Sequence, residues 1–234
     1  MLEKSSYSIS LGNTHQDGII SSTGMDRYNV KVSADTKLTN NWSSGFTANY
    51  ITTSIDKAVT SGNGLLRTVY AAPPSYDLAG IPSHVDGNQY TQNSFRGSFD
   101  NAYWAMDNNK FTEDTNRFFG NVYASYQTDF GTTNHKLNAK YMVGVDAYTT
   151  HYVDSYGYGS NTGGGRGQIE NYGWTNATYN SLLTINYDWH INEDWGLNAV
   201  LGNEIIQSNR KKYYEYGTNY NFPGWNLSLI HISE

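Results

Sequence analysis

Cysteine is absent from this 234-residue chain, which excludes disulfide frameworks, thiol catalysis and Cys-ligated zinc. Charged residues amount to only 15%. Beyond Arg210, Lys211 and Lys212 there is no basic cluster, and the net charge is −6, so no nucleic-acid partner is expected. No apolar run approaches the roughly 18 residues that a transmembrane helix requires. The opening residues Met1-Leu2-Glu3-Lys4 lead almost directly into a patterned segment, without the charged-plus-apolar leader of an exported protein.

Sites of chemistry are equally scarce. His15, His84, His135, His151, His190 and His231 show no His-Glu-x-x-His spacing and no partner at metal-ligand distance along one element. Asp86-Gly87-Asn88 lacks the remaining positions of a calcium loop. The run Gly163-Gly164-Gly165-Arg166-Gly167 lacks the strand-to-helix setting of a phosphate cradle and reads as loop. No nucleophile elbow occurs. Neither a catalytic residue nor a metal or cofactor is expected.

What the chain does contain is alternation. Tyr7, Ile9 and Leu11 alternate with Ser8, Ser10 and Gly12, and Tyr28, Val30, Val32 and Ala34 alternate with Asn29, Lys31, Ser33 and Asp35. The same period returns at Leu137, Ala139, Tyr141, Val143 and Val145, and at Leu183, Ile185, Tyr187 and Trp189. A period of two is the mark of a strand with one apolar and one polar face. About seven strands are expected, near 5–14, 27–38, 42–53, 117–129, 135–148, 178–191 and 195–208, with an eighth beginning near Lys211.

The connections alternate in length. Short polar turns at Thr39-Asn40-Asn41, Phe130 to Asn134 and Asn192-Glu193-Asp194 are separated by loops near 15–26, 54–115 and 149–177. Short turns on one side and long loops on the other characterise outer-membrane barrels. Trp42, Phe130, Trp189 and Trp195 sit beside the short turns, where an interfacial aromatic girdle belongs. On this reading Leu137, Tyr141, Val145, Leu183, Ile185, Leu197, Ala199 and Leu201 face lipid. Lys136, Asn138, Lys140, Asn186, Asp188, Asn198 and Gly202 face a wet lumen.

Four stretches carry a family resemblance: "SYSISLGNTHQDGII", "MDRYNVKVSADTKLTNNW", "NAYWAMDNNKFTEDTNRFFGNVYASYQ" and "GLNAVLGNEI". In this order they resemble the barrel part of SusC/RagA-type TonB-dependent outer-membrane transporters. The third resembles the family's Asn-Pro-Tyr-Trp segment, with Ala102 in place of the proline. The resemblance implies uptake of oligosaccharides or peptides across the outer membrane, with TonB and a SusD-like surface lipoprotein as partners. Complete members resemble barrels of about 22 strands with a plug domain. The expectation is therefore an all-β, incomplete antiparallel transmembrane barrel segment with long extracellular loops, occupying residues 1–226. The ending "LSLIHISE", 227–234, resembles translated adapter sequence and is expected to be non-native.

One candidate site follows from composition. The long loop carries Tyr70, Tyr76, Tyr90, Tyr103 and Trp104 among Asn, Asp and Gln. Tyr76, Tyr90, Tyr103 and Trp104 suit ligand binding, above all of sugars, because ring faces cover C–H surfaces while amides and carboxylates satisfy hydroxyls. The competing expectation is that these rings pack the loops on one another. The alternative to a transporter is a soluble or surface-attached, glycan-binding β-sandwich, whose apolar strand faces would meet a second sheet. A glycoside hydrolase would need paired carboxylates, for which the sequence offers no sign.

Overall fold

A computed structural model describes residues 5–59, 64–132, 134–162 and 164–224. The ending 227–234, the opening Met1 to Lys4, and Gly163 lie outside the described residues. In chain order the elements are β1 (Ser5–Asp17), β2 (Gly24–Lys37), β3 (Trp42–Lys57), α1 (Leu65–Ala71), β4 (His84–Val85), β5 (Asn88–Gln92), α2 (Ala102–Asn108), β6 (Lys110–Thr128), β7 (His135–Tyr156), β8 (Gln168–His190) and β9 (Gly196–Thr218). Seven strands form one antiparallel sheet in the order β1-β2-β3-β6-β7-β8-β9, and β4-β5 is a separate small hairpin. Each strand of the large sheet pairs with its sequence neighbour in that sheet, as in an up-and-down meander.

The register sorts side chains by face. Tyr7, Ala34, Phe46, Val122, Val143, Ser181 and Ile205 lie in one row across all seven strands. The next row on that face is Ile9, Val32, Ala48, Gly120, Val145, Tyr179 and Gln207. A Cβ at Gly120 would collide with the Thr47 carbonyl, so only glycine lets β6 approach β3 so closely in this row. From the row of Trp42 and Tyr126 to the row of Leu11, Val30, Tyr50 and Phe118, this face carries no charged side chain among the described residues. It is also uncovered: Ile9 is 68% exposed and Leu201 66%.

The opposite face holds the charges. Ser10, Lys31, Asn49, Phe119, Asp146, Thr178 and Ser208 share a row. Arg117 donates to Asp146 at 2.8 and 2.5 Å, and Tyr123 donates to Asp35 at 2.6 Å. This face is hollowed into a trough lined by Lys31, Thr47, Asn49, Asn121, Asp146 and Asn180 among others. The second large sheet that the sandwich alternative expects is not among the described residues, whose sheets are this one and the β4-β5 hairpin.

Three tight turns close one end of the sheet. In two of them the same local chemistry recurs. Thr39 Oγ1 accepts from Asn41 N and Trp42 N at 3.2 and 3.0 Å; Asn192 Oδ1 accepts from Asp194 N and Trp195 N at 3.0 and 2.9 Å. Leu38 N and Ile191 N then donate to the carbonyls of Trp42 and Trp195, both at 2.9 Å. Such side-chain caps replace the missing ladder bonds of a reversing chain.

At the other end the expected boundaries need correction. β7 reaches Tyr156 and β8 begins at Gln168, so the connection is 157–167 and not 149–177. β6 begins at Lys110, and β3 runs on to Lys57. No eighth strand begins near Lys211, because Tyr213, Tyr214 and Tyr216 continue β9. The reason is physical: beyond the apolar band both faces are polar, so the period-two signal fades while the backbone ladder continues. Within the long connection, Asp86 (φ 51°) and Gly87 (φ 69°) form the turn of the β4-β5 hairpin, a position that favours an Asp-Gly pair.

Candidate functional site

The long connection between β3 and β6 folds around a buried carboxylate. Asn101 caps α2 by accepting from Tyr103 N and Trp104 N at 3.0 and 3.2 Å, and Ala102 takes the first helical position, where proline is also tolerated. Just before the cap, Asp100 is buried. It accepts from Ser160 Oγ and Asn161 N at 2.6 Å each, and from Gln92 Nε2 at 2.8 Å. Thr68 of α1 donates to the Asp100 carbonyl at 2.8 Å. Asp100 thus clasps the β7-β8 loop to the long connection. Asn109 Oδ1, accepting from Gly157 N at 2.9 Å, adds a second tie between them.

The four aromatic residues singled out from sequence are placed differently from one another. Trp104 is fully buried, its Nε1 donating to Gln89 O at 2.9 Å, and it offers no exposed ring face. Tyr76 packs against Phe95 with centroids 5.6 Å apart. Tyr90 makes an edge contact with Tyr158 at 6.4 Å. Tyr103 is 43% exposed. Among the described residues, no ring contact joins any two of these four.

A different aromatic group, drawn from the expected 149–177 loop and from the segment after Lys211, stands on the polar face beyond the apolar band. One row across the sheet reads Glu113, Tyr152, Tyr172 and Tyr214, and the next toward the turns reads Thr115, Thr150, Trp174 and Lys212. Tyr152 stacks on Tyr172 at 4.9 Å and meets Trp174 at 5.4 Å; Tyr172 meets Tyr214 at 6.4 Å. Lys57 Nζ lies 4.5 Å from the Tyr152 ring centre, and the Arg210 guanidinium 4.8 Å from that of Trp174. Tyr172 donates to Asp154 at 3.1 Å. Burial, followed by the Asp154 charge, pushes the Tyr172 phenol up to about 12. The density of tyrosine at 148–158 and 213–216 was the available sequence signal.

No family model matches the chain, and no curated protein matches it. Solved structures do. The RagAB peptide importer in its closed-closed state aligns over 94% of this chain with a TM-score of 0.71 at 17% identity. A second structure of the RagAB peptide transporter gives 0.70 at 14%, and the open-open state of the importer gives 0.69 at 16%. The sheet is an open segment of a β-barrel wall. This chain spans only 24–25% of the length of those chains, and at such identities the likeness is one of fold. The barrel segment has seven consecutive wall strands, with the clasped loops at one end and the tight turns at the other.

Proposed function

We propose that this chain is part of the wall of an outer-membrane importer of the SusC/RagA, TonB-dependent type, working with a surface lipoprotein and carrying peptides or oligosaccharides. The observation that carries this reading is the charge-free, uncovered apolar band on one face, set against a charged trough on the other. In β3 the band runs from Trp42 to Tyr50. At the usual rise and strand tilt this is roughly 20–25 Å, close to the apolar height of an outer-membrane barrel. A charge there would cost about 2–4 kcal/mol near the midplane, and the sequence places none. The trough then lines the passage, the tight turns face the periplasm, and the clasped loops face outward.

Transport of this kind breaks no covalent bond, and the residues described supply wall and recognition surface. The likeness to peptide importers favours peptide cargo over oligosaccharide. The experiment is fractionation of cells expressing the importer that carries this wall. It is expected in the outer-membrane fraction, released only by detergent, with a band that shifts on heating. Release into the aqueous phase without detergent contradicts the reading.

A further inference from the structure

Between β8 and β9 the aromatic rows border an open, shallow cleft of ≈ 340 Å³, lined by Tyr172, Gly173, Trp174, Lys212, Tyr213 and Tyr214. That size falls at the lower end of small-ligand pockets. The cleft is lined mainly by aromatic surface, with the cation Lys212 at one end. Among the described residues, Trp174 Nε1 is a buried side-chain nitrogen with no hydrogen-bond partner, and neither Lys212 nor Arg210 forms an ion pair. The acidic groups lie on the other side of the tyrosines: Asp154 and Glu170 pair with each other in register two residues beyond Tyr172.

The site therefore has two poles with rings between them. From Glu170 to Trp174 is four residues of strand, roughly 13 Å, which matches an extended chain of about four residues. We infer that this cleft binds the carboxyl-terminal end of a peptide: the carboxylate lies against Lys212 and Arg210, the last apolar side chain across the faces of the paired Tyr172 and Tyr214 rings beside Trp174, and the ammonium end toward Asp154 and Glu170. A neutral glycan leaves both poles unsatisfied, and an acidic sugar answers only one. This assignment rests on the importer reading.

The test is calorimetric titration of the intact importer in detergent with the tetrapeptide Ala-Ala-Ala-Phe, as free acid and as carboxyl-terminal amide. The free acid is expected to bind at least about tenfold more tightly, because the amide cannot form the charge-assisted pair with the two cations. The double variant Arg210→Gln, Lys212→Gln removes that preference, whereas Lys212→Arg keeps it; an unchanged heat-shifted band shows that each variant is folded. Equal affinity for acid and amide, or a preference that survives the double variant, overturns the assignment. Binding of an oligosaccharide and of neither peptide also overturns it while leaving the importer reading intact. Absence of the protein from the outer membrane is the separate result that defeats the importer reading.

Discussion

Tyr152 and Tyr172 face each other across β7 and β8 with ring centroids 4.9 Å apart and planes within 7° of parallel. The pair is held from both sides: Lys57 sits over Tyr152, and Asp154 accepts from the Tyr172 hydroxyl. Rings locked in this way hold one fixed geometry on the polar face. The site on the polar face is thus assembled before any ligand arrives, which lowers the ordering cost of binding.

This environment gives a prediction in pH. The Tyr172 phenol is raised to about 12 by burial and by the Asp154 charge, so the folded state holds its proton where the unfolded chain has lost it. The contribution to stability is complete below pH 10 and is lost as pH rises through 12. Ultraviolet titration of phenolate absorbance should show a late-ionising tyrosine that disappears in Tyr172→Phe. An unchanged titration curve would contradict the assigned environment.

The Asp100 clasp predicts a local effect. Asp100→Asn places an amide N–H₂ among the donors Ser160, Asn161 and Gln92, and should cost about 2–3 kcal/mol of loop stability. Hydrogen exchange should rise in 64–109 and 157–167 together, with β7 and β8 unchanged. Faster exchange in only one loop would show that the clasp does not couple them.

Burial separates two neighbouring aromatics. Trp104→Ala should destabilise the long connection by about 3–5 kcal/mol. Tyr103→Ala, at an exposed position, should change it by no more than about 0.5 kcal/mol. Limited proteolysis of the loop in the two variants distinguishes these outcomes. Equal sensitivity would contradict the packing described.

The two faces predict opposite tolerance to charge. Val143→Arg, in the apolar band, should cost about 2–4 kcal/mol in membrane-folded protein, whereas Asn138→Arg on the trough face should cost under about 0.5 kcal/mol. Refolding into lipid vesicles with denaturant titration measures both. Similar costs would remove the distinction between faces.

The sequence made the fold legible where one face is apolar and the other wet. Leu137, Ala139, Tyr141, Val143 and Val145 announce β7 because each second residue repeats the same preference. The signal ends at Thr149, Thr150, His151 and Tyr152, where both faces are polar, yet the ladder to β8 continues to Tyr156. The boundary errors therefore cluster at the loop end of the sheet and are small at the turn end. The aromatic rows are illegible locally for that reason: Tyr152, Tyr172 and Trp174 fall in the expected 149–177 loop. The two helices escaped because seven residues each are too few for a helical period, although Asn101 before Ala102-Tyr103-Trp104 carries a cap signal. The clasp at Asp100 joins residues 60 positions apart, which no local pattern reveals.

The central claim is that one face of this sheet meets lipid and the other water. These 234 residues hold no cysteine: with any cysteine elsewhere in the intact importer replaced by serine, single cysteines are placed at each position from 137 to 147 of β7 in outer membranes and labelled with a spin probe. Accessibility to oxygen dissolved in lipid should peak at 139, 141, 143 and 145, and accessibility to a water-soluble nickel chelate at 138, 140, 142, 144 and 146. Uniform access of the chelate to all positions, or the opposite phase, would contradict the barrel-wall account.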